Sequence, residues 1–231
     1  MLVSKNIKPA IWENKTGKVK VRIVAGISEQ EKYGPSGGWY IFGNNRLILG
    51  PDHTDKTGWG AKKPIRIPEY HPQFYRFRGF VFLNAEDPRD LPWNTSKTNM
   101  DLDSPVYRTV LQQMIVMMRT VIDFLNGLHD ESNSFEKGLI KSTPLQKSID
   151  DSTSFELSTV ITTKKYVSKD LFLFPEPAKR IAPNKPKPIW LRFEISSKES
   201  ELIQEYFDND DLSEIGREIF DYFAMREIGT K

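Results

Sequence analysis

The chain has 231 residues, 28% of them charged, with a formal charge of +2 and a mean hydropathy of −0.51. That length suits one good core, or one domain with a smaller appendage, and the near-balance of charge gives no global basic field of the kind that marks a nucleic-acid or membrane binder. The lack of cysteine excludes disulfides, thiolate zinc sites and thiol nucleophiles, and the three histidines, His53, His71 and His129, are too far apart for a ligand pair such as HExxH.

Residues 1–18 are polar, with Pro9 and Gly17 as punctuation, and read as an irregular leading segment without the apolar core of a signal peptide. No apolar run approaches membrane-spanning length, so the expectation is a cytoplasmic protein with no membrane contact. Residues 19–26 alternate apolar and basic side chains with period two, the pattern of a strand with one buried face. Trp39-Tyr40-Ile41-Phe42 and Arg46-Leu47-Ile48-Leu49 flank Gly43-Asn44-Asn45, whose residues tolerate positive φ, which predicts a tight hairpin. The turn-rich stretch 52–60 fails the P-loop pattern, and Asp52 and His53, adjacent on an extended chain, point to opposite sides and so make no acid/base pair. Pro64, Pro68 and Pro72 keep residues 65–73 extended, so that 70–74 crosses the sheet.

Phe77-Arg78-Gly79-Phe80-Val81-Phe82-Leu83 is the most apolar strand, expected at the centre of the sheet with Gly79 at a close approach. A polar loop follows, and Asp103-Ser104-Pro105 then opens a helix with a capping side chain and a proline in the first turn. Apolar residues from Tyr107 to Leu125 recur every three or four positions, and Asn126-Gly127 is the expected stop. Residues 130–188 read as an irregular, then Pro-rich linker, with a strand over 155–163 and a short apolar anchor at 171–174. The fold class is α+β: a mixed sheet with a long packed helix over residues 19–129, then the linker, then a small strand–helix–helix module over 189–231.

That module has a strand over 189–195 and helices from Ser196 and Leu212, with Ser196/Glu199 and Asp211/Glu214 spaced as capping boxes. Its order resembles the ribbon-helix-helix DNA-binding domains, a resemblance that implies a dimer laying alternate strand side chains, here Trp190, Arg192 and Glu194, into the major groove. Glu194 and the acidic turn Asp208-Asn209-Asp210-Asp211 oppose a phosphate-facing surface, so a dimerising or docking module is the other reading.

The loop Arg89-Asp90-Leu91-Pro92-Trp93-Asn94-Thr95-Ser96-Lys97-Thr98 carries the candidate chemistry. A lysine between a strand and a helix, flanked by Asn94, Thr95, Ser96 and Thr98, presents an ammonium and several hydroxyl and amide groups, which suits a phosphate. A solvated surface lysine among turn-forming residues is the alternative.

The hairpin at 38–48, Arg78-Gly79-Phe80-Val81-Phe82, and Asp90-Leu91-Pro92-Trp93-Asn94-Thr95-Ser96-Lys97 together resemble the second, transducer domain of GHKL ATPases over residues 19–126. The superfamily includes DNA gyrase, MutL, MORC and Hsp90-type proteins. The resemblance implies that Lys97 reaches the γ-phosphate of ATP held by a preceding domain, with Asn94, Thr95, Ser96 and Thr98 as its loop. ATP and Mg²⁺ would then be bound only in an intact protein, through an N-terminal ATP-binding domain, and a homodimer is also expected. The ATP-binding motifs E-x-x-x-N and D-x-G-x-G and the glycine-rich lid do not occur in this sequence: Thr95 takes the place of the Glu before Asn99 and Asp103, and Asp55, Gly58 and Gly60 miss the second motif by one residue. This chain is therefore expected to be the C-terminal part of a longer ATPase, inactive alone. The alternative is a non-enzymatic DNA-binding or dimerisation protein acting through its tail.

Overall fold

The chain forms β1 (Leu2–Val3), β2 (Ala10–Thr16), β3 (Val19–Ile27), β4 (Gly38–Gly43), β5 (Arg46–Asp52) and β6 (Phe77–Asn84), then α1 (Pro105–Glu136) and α2 (Pro144–Asp150). There follow β7 (Thr153–Ser154), α3 (Leu157–Thr162), β8 (Ser168–Lys169), α4 (Ser197–Phe207) and α5 (Leu212–Phe223). The computed structural model describes residues 1–29, 36–180, 192 and 194–228, and divides into two units, Met1–Pro183 and Asn184–Lys231.

In the first unit six strands make one mixed sheet in the order β5-β4-β6-β3-β2-β8, so the fold class read from the sequence holds. The β4–β6 and β2–β8 pairs are parallel and the rest antiparallel. The apolar strand β6 is central, as expected, flanked by β3 and β4. Its Gly79 lies under the indole of Trp39, where an added Cβ would stand 2.2 Å from the ring. The β4–β5 corner is the predicted tight turn, with Asn44 and Asn45 at φ 44° and 66°.

One face of the sheet is covered by α1. Tyr107, Val110, Met114, Met118, Val121 and Ile122 are fully buried against Ile23, Trp39, Ile41 and Val81 in a single core. Each buried aliphatic or methionine side chain contributes about 1.5–3 kcal/mol relative to exposure, so this stripe is the main force holding helix to sheet. The buried indole Nε1 of Trp39 finds a weak acceptor in Met118 Sδ at 3.4 Å.

Several sequence expectations are corrected. The leading segment is not irregular, since β2 pairs along its whole length with β3 and β1 pairs with β7. Helix α1 does not stop at Asn126-Gly127 but continues nine residues further, to Glu136. Gly127 serves close packing, because a Cβ there would stand 3.0 Å from Leu145 Cδ1 of α2. Ser104 is the N-cap residue of α1 but makes no side-chain cap bond, and Asp103 pairs with Arg108 at 2.8 Å. The stretch 130–174 is ordered into α2, β7, α3 and β8. The strand expected over 155–163 is the helix α3, whose Val160 is buried with Met1, Val3 and Val24 in a second apolar cluster on the far face of the sheet. The apolar anchor at 171–174 does pack: Phe172 and Phe174 each lie 5.5 Å from the ring of Phe124.

In the second unit, α4 starts with the predicted capping box, Ser196 and Glu199 exchanging bonds. At α5 only half of the expected box forms: Asp211 accepts from the backbone N–H of Ser213 and Glu214, while Glu214 accepts from Asn209. The expected strand at 189–195 lies mostly outside the described residues.

Candidate functional site

The connection from β6 to α1 is built as a series of locked turns. A 3-10 turn over Pro88–Asp90 is capped by Asp87, whose carboxylate accepts from the backbone N–H of Arg89 and pairs with its guanidinium. That exchange holds the Asp87 carboxyl below, and the Arg89 guanidinium above, their ordinary pKa values. Leu91 and Met100 are buried, pinning both legs of the loop to the core. Between them Trp93 and Met100 form an antiparallel bridge, and the N–H of Asn94 donates to the carbonyl of Asn99 at 2.9 Å.

Residues 95–98 are therefore the tip of a miniature hairpin, and all four are exposed. Asn94 braces the tip from within: its Oδ1 accepts from the N–H groups of Thr98 (2.9 Å) and Asn99 (3.2 Å), while its carbonyl accepts from the N–H of Lys97 (2.9 Å). The hydroxyls of Ser96 and Thr98 share a hydrogen bond at 2.8 Å. Lys97 itself sits at φ 55°, the left-handed region where a non-glycine residue is uncommon and needs support from its surroundings. Its ammonium stands 5.2 Å from the centroid of the Trp93 ring, within cation–π range, and it makes no ion pair with another described residue.

Trp93 is the support that sequence reasoning missed. Its ring lies over Gly43 at the end of β4, where an added Cβ would approach it to 2.8 Å. Asn44, next in the chain, uses its side-chain amide as a substitute strand, donating to the carbonyl of Ala85 and accepting from its N–H, each at 3.0 Å. The β4–β5 corner, the end of β6 and the Lys97 loop are thus tied together. Of the expected phosphate-loop residues, Asn94 is spent on bracing, Ser96 and Thr98 are engaged with each other, and Lys97 and Thr95 face solvent.

A second polar cluster lies at the other end of β5. Asp52 is buried and accepts from the N–H of Thr54 (3.0 Å) and the hydroxyl of Thr57 (2.7 Å), whereas His53 is exposed and stacks on Tyr70 at 4.4 Å. The two side chains do diverge, and Asp52 is a structural carboxylate. Tyr107 of α1 donates its hydroxyl to the carbonyl of Lys56 at 2.9 Å; burial, with the nearby Asp52 charge, raises its pKa.

The donor set of the loop fits an anionic oxygen, not a cation, and among the described residues no cluster of three or more His, Asp or Glu is placed to hold a metal. No described helix is long and apolar enough to cross a membrane. Of the DNA-contact residues expected in the tail, Arg192 is exposed and Trp190 lies outside the described residues. Comparison with protein-family models, curated proteins and solved structures gives no match for this chain.

Proposed function

We propose that this chain is the transducer part of a GHKL-type ATP-binding protein, in which Lys97 contacts the γ-phosphate of ATP held by a separate ATP-binding domain. The observation that carries the reading is the braced tip itself: an exposed lysine without an ion-pair partner among the described residues, held in a left-handed conformation by Asn94 and backed by Trp93. A tip whose bonds are already made within the loop needs little reorganisation when a charge arrives, which is how positioned cations stabilise phosphoryl groups. ATP and Mg²⁺ enter with the other domain, and the phosphate draws Lys97 and its loop toward it.

In a protein that joins this chain to its ATP-binding domain, Lys97→Ala is expected to lower turnover at least tenfold, corresponding to about 1.4 kcal/mol of barrier, with an unchanged melting temperature. Unchanged turnover sinks the reading. The chain by itself is expected to release no phosphate from ATP.

The second reading, a tail that docks or dimerises, is favoured by one observation. Leu212, Ile219 and Phe223 form an exposed row along α5, with Phe220 beside it. Residues 184–231 carry seven Lys and Arg against eleven Asp and Glu, which favours a protein partner over DNA.

A further inference from the structure

The face of the sheet away from α1 is covered over only part of its area. Its first cross-strand row, with Val24 and Phe80, lies under Met1, Val3 and Val160. The next row runs Glu13, Arg22, Phe82, Phe42 and Leu47 across five strands in register. Beyond it Lys15, Lys20 and Asn84 stand opposite one another. Alternation along each strand puts all of these on one face.

The second row presents an aromatic pair. Phe42 and Phe82 stack with centroids 5.2 Å apart and planes inclined by 17°, and both are only half-buried; Leu47 beside them is 48% exposed. Phe82 opens into a groove of ≈ 560 Å³ that is also lined by Lys20, Arg22, Asn45 and Asn84. The side-chain amides of Asn45 and Asn84 make no hydrogen bond to another described residue. Arg22 is oriented by Glu13, the acid within these rows, while Lys15 and Lys20 make no ion pair with a described residue. Of the acids at the neighbouring edge, Asp87 is held by Arg89 and Asp90 by Lys18, and Glu86 is exposed.

Partly exposed rings, unengaged neutral amides and flexible cations on one sheet face are the groups that bind single strands. Rings stack on bases, amides meet base edges and cations follow phosphates. A protein partner would want a larger apolar centre with few lysines. The charge of the first unit agrees with a polyanion, since residues 1–183 hold 26 Lys and Arg against 20 Asp and Glu.

We propose that this face binds single-stranded nucleic acid. A base stacks on Phe82 and Phe42, Asn45 and Asn84 take its edge, and Lys15, Lys20 and Arg22 take the flanking phosphates. The site is independent of the Lys97 reading and stands or falls separately from it.

Fluorescence polarisation of the full chain with labelled oligo(U) and oligo(dT) tests the proposal. Binding is expected to weaken at least fivefold in Phe82→Ala, as loss of a stacked base requires, and to survive in Phe82→Tyr, which keeps the ring. Three phosphate contacts predict a loss of roughly 20-fold between about 50 and 200 mM salt, and Lys20→Glu should flatten that slope. Arg192→Glu in the tail should leave binding unchanged. The proposal is overturned if neither oligomer binds at low salt, or if Phe82→Ala and Lys20→Glu both bind like the parent. Displacement by polyglutamate as effective as by oligo(U), or duplex bound as tightly as single strand, overturns it as well, since charge alone would then account for binding.

Discussion

At the scale of single residues, the loop shows how a common side chain acquires a defined place. Lys97 is one lysine among many in the sequence, and its neighbours Asn94, Thr95, Ser96 and Thr98 are ordinary turn formers. Position comes from Asn94, which gathers three backbone N–H groups through its side chain and carbonyl, and from the Trp93 ring resting on Gly43. Tyr107 makes a residue-level prediction about pH. Its folded-state pKa is raised, by burial first and the Asp52 charge second, above the ordinary 10.0. The folded state therefore keeps a proton that the unfolded chain loses, so this contribution is fully present below pH 10 and is lost as pH rises above it. Denaturant unfolding across that range should show stability falling less steeply in Tyr107→Phe than in the parent. Equal slopes would mean that the hydroxyl is not buried against Lys56.

At the scale of elements, the buried Glu131 explains why α1 runs on. Its carboxylate accepts from the N–H groups of Leu145 (3.1 Å) and Gln146 (2.9 Å), capping α2 from a neighbouring helix because Thr143 makes no side-chain cap bond. A negative charge on a helix N-terminus is favourable, and removing it leaves buried donors unsatisfied. Glu131→Ala is accordingly expected to cost about 2 kcal/mol in chemical denaturation, with a cost below about 0.5 kcal/mol contradicting the capping role. The central strands, the Asn44-Asn45 corner and the start of α1 were legible because period-two alternation, turn residues and a leading proline are local signals. The end of α1 was not, because Gly127 and Glu131 act on α2 across the fold, and glycine reads the same whether it stops a helix or admits a neighbour. β1, β7 and β8 escaped for a related reason: strands of two residues are stabilised by their partners, not by their own pattern. Within the candidate site Lys97 was legible as a lysine at a strand–helix junction, while its brace and its aromatic support depended on contacts between distant segments.

At the scale of the whole molecule, the first unit couples one exposed cation to one long rigid element. The 32 residues of α1 span roughly 48 Å, beginning just beyond the Lys97 loop and ending where Glu131 grips α2. Under the proposed function, a phosphate that draws on the loop would act next to the start of this long buried helix. The central claim is that Lys97 meets the γ-phosphate, and its most direct test is chemical. An ATP analogue carrying an acyl group on the γ-phosphate transfers that group to a lysine amine held beside it, releasing ATP. When this chain is assembled with the ATP-binding domain that the proposed function requires and treated with the analogue, peptide mass spectrometry should find Lys97 acylated, and excess ATP should suppress the labelling. Labelling of other lysines under ATP competition, with Lys97 unmodified, would contradict the account.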